Sequence, residues 1–501
     1  MQTNSNDRHQ QVAHVIALFE AGQKTEAERE AKRLVEAWPE DGECWRNYAI
    51  IATSNQSQNC RPILSRVISF YPNDVAVLLR LGQSMVADGD LIEAEKYLKR
   101  AFELQPRVPE TLFDYAAVLY RLEKFEDALK HFLDLIALNP HVLDTYLGAG
   151  ACSMKLHKPD TALAIYQSGL AYFPQCADLH LQCANLFLRQ AAFAEAILAY
   201  QAAIACGQTS GDCYLNLGIA LKNSGRFSES LASLRLALDQ MLQQVKSADV
   251  HEQSIRPMPM QKALAAAWAK KVLQSLKQRF AEFGLDWCLM AGTLLGIYRD
   301  GDFIRGDKDM DIGMHFDVDR ARLEECLCRD GEFIKQDHFG KGVDRVSNYS
   351  FTVKHRQSDI SVDIFFLQPF QDDYFLMGVD HPGQAILSRL TRFEFAQFSW
   401  QNEMWPVPSH IETYLVDVYG ASWREPNLFY DTIISHPCRL AASIPVVLCY
   451  GYAQVYAYLS NQKWVHALAY SEQLLKRQHD ELLESVRHFS QDKVRQLSER
   501  V

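Results

Sequence analysis

Small and apolar residues return at a fixed spacing through the first half of the chain. Gly82, Ala116, Gly150, Ala184 and Gly218 are each 34 residues apart, and Ala94, Ala128, Ala162 and Ala196 keep the same step, with Ser230 in register. Bulky residues follow the second set at Leu98, Phe132, Tyr166, Tyr200 and Leu234, and Pro106, Pro140 and Pro174 close the units. This predicts two amphipathic helices per unit, touching where small residues let their backbones approach, the second helix stopped by proline. A single hairpin of this kind cannot bury its apolar face, so the units are expected to stack into a solenoid with a concave groove.

The period and the order small, small, bulky, proline resemble the tetratricopeptide repeat, over about seven units from residue 8 to 242. The resemblance implies a groove that binds a protein partner. A rigid spacer supporting the neighbouring domain is the plainer reading.

The pattern then breaks. Residues 243–260 (QQVKSADVHEQSIRPMPM) carry two prolines and no apolar period, and read as a linker. Ala263–Phe283 returns to helical spacing, with Leu264, Trp268, Val272, Leu276 and Phe280 on one face and Gly284 as the stop. Leu285–Met290 reads as a strand, Asp319–Asp330 as a helix, and Val346–His355 and Asp359–Leu367 as strands rich in β-branched and aromatic residues. A strand pair from Phe395 onward leads into a helix with Ser409 and Glu412 as a capping box. From about residue 446 to the end the chain is again helical, and Tyr458–Arg477 looks like one more repeat, with Ala467 at the small position. The fold class expected is multidomain, an all-α solenoid (8–242), a linker (243–260), an α/β (α+β) domain with a mixed sheet (261–435) and a C-terminal helical segment (440–501).

Composition changes this picture little. With 501 residues the chain is too long for one core. A net charge of −11 argues against a nucleic-acid partner held by a general basic surface. None of the twelve cysteines forms a C-x-x-C pair, and Cys326 and Cys328 read as buried thiols. The polar N-terminus has no signal-peptide core, so a cytoplasmic location is expected. Residues 440–459 are nearly all apolar, but they include Pro445, Gly451 and Gln454 and are read as a buried helix, not a membrane span.

The candidate chemistry lies in Ala291–Gly313, AGTLLGIYRDGDFIRGDKDMDIG. Asp307, Asp309 and Asp311 alternate, so on a strand they share one face while Met310 and Ile312 face the core. Carboxylates held side by side stay ionised cheaply only beside a cation, and a hard, oxygen-seeking ion such as magnesium suits them. Asp363 sits on the polar face of the later strand, opposite Ile360, Val362, Ile364 and Phe366. His338, His355 and His381 lack partners at ligand spacing and read as ordinary polar residues.

GTLLGIYRDGDFIRGDKDMDIG, the later VDIFF and the downstream VPSHIETYLVDVYG resemble the LicD/fukutin family of phosphotransferases, over roughly residues 262–430, which implies a nucleotidyltransferase-like fold for the domain at 261–435. The resemblance implies transfer of a phospho-alcohol, such as phosphocholine or ribitol phosphate, from a cytidine diphosphate donor to a hydroxyl of a glycan or glycolipid. It also implies catalytic and metal-binding roles for Asp309, Asp311 and Asp363, with Mg2+, or Mn2+ in its place, as the cofactor. Gly292, Thr293 and Arg299 are the implied donor-phosphate contacts, joined on physical grounds by Arg305 and Lys308, and Asp307 supports the acids. Lys308 stands where the family often has a second acid, a departure that bears on donor preference. Two other functions fit the residues: transfer of a nucleoside monophosphate by the same acids, or a repeat adaptor whose second domain has lost catalysis.

Overall fold

In this computed structural model the described residues are 2–55, 60–247, 266–304, 307, 309–336, 348–381 and 384–499. They form two compact units, Met1–Cys183 and Ala184–Val501. Among them, fourteen helices precede residue 248.

Close helix approach occurs where the period placed it. A methyl group added at Gly82 would fall 2.5 Å from Leu98, and one at Gly218 would fall 2.6 Å from Leu234. Ala94, Ala128, Ala162 and Ala196 are fully buried, and the Ser230 hydroxyl donates to the Gly218 carbonyl at 2.7 Å. The turn inside each unit takes one left-handed residue, at Gly89, Glu123, His157, Ala191 and Gly225, again on the 34-residue step.

The second unit holds the sheet. Its strands are β1 (Cys288–Leu289), β2 (Asp309–His315), β3 (Phe333–Lys335), β4 (Ser350–His355), β5 (Ser361–Phe370), β6 (Tyr374–Val379) and β7 (Ile386–Thr391), with β8 (Phe395–Trp400) and β9 (Glu403–Pro408) as a separate hairpin. The order is β1-β2-β5-β4-β3, extended by β6 on the far end of β5 and then β7. Only β2 and β5 pair in parallel among the described residues. Met310, Ile312, Val362 and Ile364 of that pair are buried in one core with Leu276 and Phe280 of the Ala266–Phe283 helix.

Several expectations need correction. The strand expected over 285–290 shrinks to Cys288–Leu289. β6 and β7 were not anticipated. The helix expected from Ser409 begins at Ile411 with no side-chain cap. Ser409 is still closing the β8–β9 hairpin: its N–H reaches the Glu394 carbonyl at 2.8 Å and its hydroxyl accepts from the Glu394 N–H at 3.2 Å. The helix Phe227–Ser247 runs on into the stretch read as linker, and 248–260 lies outside the described residues.

The apolar run at 440–459 forms the helix Ile444–Ser460, and no helix among the described residues is long and apolar enough to cross a membrane. It packs on the last repeat pair, Gly211–Asn223 and Phe227–Ser247, sharing a core with Leu234 and Leu238. Tyr456 donates to Asp212 at 2.7 Å, and Arg235 pairs with Asp480, the cap of the final helix Glu481–Ser498. The turn before the helix Trp464–Leu475 has Gln462 in the left-handed conformation of the repeat turns. The sheet domain is therefore inserted between two helical layers that touch each other.

Candidate active site

Parallel pairing of β2 with β5 sets Asp311 opposite Asp363, and Asp309 opposite Ser361. Adjacent strands lie about 4.8 Å apart and successive side chains alternate, so Asp309, Asp311 and Asp363 share one face. Asp363 is fixed by the Thr352 hydroxyl of β4, which donates to it at 2.5 Å. Burial, then the fields of Asp309, Asp363 and Asp307, push the Asp311 carboxyl well above the usual carboxylate range.

The first turn of the short helix Ala291–Leu295, ahead of this strand, is built around Asp311. Ala291 has a φ of +39°, an unfavourable conformation for a residue with a side chain, held by its N–H donating to the Tyr414 hydroxyl at 2.9 Å. The next N–H, of Gly292, donates to Asp311 at 2.8 Å, and the Asp311 N–H donates to the Thr293 hydroxyl at 2.8 Å. A methyl group at Gly292 would fall 2.7 Å from Asp307 and 3.2 Å from Asp311, so glycine alone lets both carboxylates close on the turn. Gly292 and the buried Thr293 thus position Asp311. The Gly292 N–H expected to cradle phosphate is already engaged there.

These acids line a cavity of about 500 Å³. Arg299 also lines it, held in a two-pronged ion pair with Asp300 at 2.8 Å that raises its pKa. Arg305 and Lys308 lie outside the described residues, as does His338. His355 is a structural residue, bonded to Ser358 at 2.7 Å, and Cys326 is wholly buried in the core.

The opposite wall of the cavity was missed in the sequence. It comes from 418–439 and includes Tyr419, Trp423, Tyr430, His436 and Arg439. Tyr419 and Tyr430 stack at a tilt, 4.6 Å between ring centres. The segment has no apolar period, and its one signal was a run of aromatic, basic and polar residues, NLFYDTIISHPCR, with no secondary-structure pattern to explain it. Among the described residues no three histidine, cysteine or acidic side chains are already drawn together to hold a metal ion. The donor chemistry nevertheless fits a hard cation: oxygen ligands on one sheet face, with mutual repulsion that an ion would relieve.

Residues 284–410 match the family described as LicD/FKTN/FKRP, nucleotidyltransferase domain, and residues 12–57, 79–142 and 154–211 match tetratricopeptide repeats. The chain therefore joins a tetratricopeptide array to a LicD/fukutin-type domain, and the matched part holds all four acids, Gly292, Thr293 and Arg299. More particularly, it is similar to the ribitol-5-phosphate transferase FKTN of Mus musculus, 28% identical over 175 residues, 34% of this chain and 36% of the relative. The Homo sapiens protein of the same name is 26% identical over 170 residues, with the same shares. The chain thus spans about a third of the length of these relatives. Solved structures similar to it include MamA, at 18% identity, 36% of this chain, 97% of that one and a TM-score of 0.33. A tetratricopeptide repeat protein from Parabacteroides merdae aligns at 13% identity, 47% and 93% coverage and a TM-score of 0.36.

Proposed function

We propose that this chain is a metal-dependent phosphotransferase that moves a phospho-alcohol of the ribitol phosphate type from a cytidine diphosphate carrier to a hydroxyl of a glycan or glycolipid. The observation that carries the reading is the meeting of Asp309, Asp311 and Asp363 on one face of the β2–β5 pair, within the family-matched residues. In the reaction the acceptor oxygen attacks the phosphorus bearing the alcohol. The bond from that phosphorus to the oxygen bridging the two phosphates breaks, and cytidine monophosphate leaves. Asp363 takes the proton of the attacking hydroxyl, and Thr352 holds its carboxylate in place. Asp309, Asp311 and Asp363 would hold the magnesium or manganese, which when bound neutralises charge gathering on the phosphate oxygens. Arg299, paired with Asp300, lines the same cavity, and the Gly292 N–H and Thr293 hydroxyl keep Asp311 aimed.

The repeats are assigned the binding of a protein partner that brings the acceptor. The test uses CDP-ribitol and CDP-choline labelled in turn at each phosphorus, with magnesium and a glycan acceptor mixture. Label from the alcohol-side phosphorus on the product supports phosphotransfer, whereas label from the nucleoside-side phosphorus makes the protein a nucleotidyltransferase. No transfer by the full chain, with Asp309→Asn and Asp363→Asn indistinguishable from it, sinks the catalytic reading and leaves an adaptor.

A further inference from the structure

The cavity is divided in charge. Its acids occupy one end, and the far end is made by the 430–439 segment, beyond the family-matched residues. His436 there is fully buried, and neither ring nitrogen has a hydrogen-bond partner. A buried imidazole left this way has an unmade bond at each nitrogen, and a ligand oxygen would satisfy the one that carries the proton. Arg439, three residues on, has its Nε buried and unpartnered, and its remaining bonds go to the Thr432 and Ile433 carbonyls. No carboxylate pairs with Arg439 among the described residues. Arg477, from the helical segment behind, likewise bonds carbonyls, of Ile434 at 3.2 Å and His436 at 2.6 Å. Burial beside these two guanidinium groups holds His436 well below its ordinary pKa, so its ring is neutral and one nitrogen is a donor. Burial pushes the Tyr430 hydroxyl up, with Arg439 opposing the shift and Asp431 and Asp311 adding to it.

We infer that His436 and Arg439 form an anion subsite, separate from the carboxylates, that takes a phosphate group of a substrate through the Arg439 guanidinium and a His436 ring N–H. The unpartnered Nε–H of Arg439 and a neighbouring ring N–H of His436 are two donors suited to the oxygens of a phosphate. The subsite stands without the phosphotransfer reading. The identity of the molecule that carries the phosphate rests on that reading, the two sources being the nucleotide donor and a phosphorylated acceptor.

The test is binding of inorganic phosphate to the full chain in EDTA, followed by line broadening of the phosphorus NMR signal. Arg439→Gln and His436→Leu are each expected to weaken binding about tenfold, the loss of a charge-assisted hydrogen bond. Asp309→Asn is expected to leave binding unchanged or slightly tighter. Unaltered affinity in both basic-end variants overturns the inference, as does a loss confined to Asp309→Asn. Arg439→Lys, which keeps the charge and loses the fork, covers the case in which Arg439→Gln does not fold. Cytidine diphosphate that displaces the bound phosphate assigns the subsite to the donor. Simultaneous binding of the two assigns it to the acceptor, and failure of cytidine diphosphate to bind even when magnesium replaces EDTA, with phosphate binding intact, counts against the phosphotransfer reading alone.

Discussion

Ala291 is a small residue in a costly place. Its positive φ is retained because the Tyr414 hydroxyl fixes its N–H and the following N–H holds Asp311. Ala291→Gly should therefore stabilise the chain by about 1 kcal/mol, and Tyr414→Phe should cost about 1–3 kcal/mol, both read from urea unfolding. Gly292→Ala should do the reverse of a stability mutation: the added methyl meets Asp307 and Asp311, so turnover should fall at least about a hundredfold while the melting temperature moves by a few degrees. His436 gives a pH prediction. It stays neutral in the folded chain well below its ordinary value of 6.5 but takes a proton when unfolded, so the unfolded state binds more protons as pH drops. Stability should decline as pH falls below 6.5 toward about 5, and His436→Leu should flatten that slope in urea midpoints measured across the range.

At the level of elements, the repeat turns carry a measurable strain. Glu123, His157 and Ala191 occupy the left-handed conformation that Gly89 and Gly225 occupy without penalty. Glycine at any of the three should raise the melting temperature, by about 1 kcal/mol of stability each. The spacing of small residues made the helices and their contacts readable, since a methyl group at Gly82 or Gly218 would press on Leu98 or Leu234 of the packed helix. The alternation of Asp307, Asp309 and Asp311 likewise announced a shared face for Asp309 and Asp311. What sequence did not reveal was the parallel register that sets Asp311 beside Asp363, because strand pairing is a long-range choice that neither strand encodes alone. β6 escaped notice because YFLMGV is a continuous apolar run, without the alternation of a half-buried strand. The wall at 418–439 escaped because irregular backbone has no period, and its residues acquire meaning only when packing turns them toward the acids.

Across the second unit, one side of the cavity depends on helices far along the chain. Gln473 donates to the Phe429 carbonyl at 2.9 Å, and Arg477 holds the 434–436 backbone. Ending the chain at residue 443 would remove both supports and bare Leu234 and Leu238 of the last repeat pair. Such a chain should bind the hydrophobic dye ANS, aggregate on warming and lose phosphate affinity, as read by light scattering and titration.

The insertion of the sheet domain between touching helical layers has a structural corollary. The helix Phe227–Ser247 and the one beginning at Ile444 share a core and run side by side in the same direction, Cys449 beside Phe227 and Tyr452 beside Arg235, so the chain leaves for the sheet domain at one end of this pair and returns at the other. The helical layers are host and the sheet domain guest, joined at the two opposite ends of that helix pair. A guest attached in this way is clamped at both ends, and a partner that twists the host pulls on the guest's entry and exit together, a mechanical route to its site that a domain hung from one end would lack.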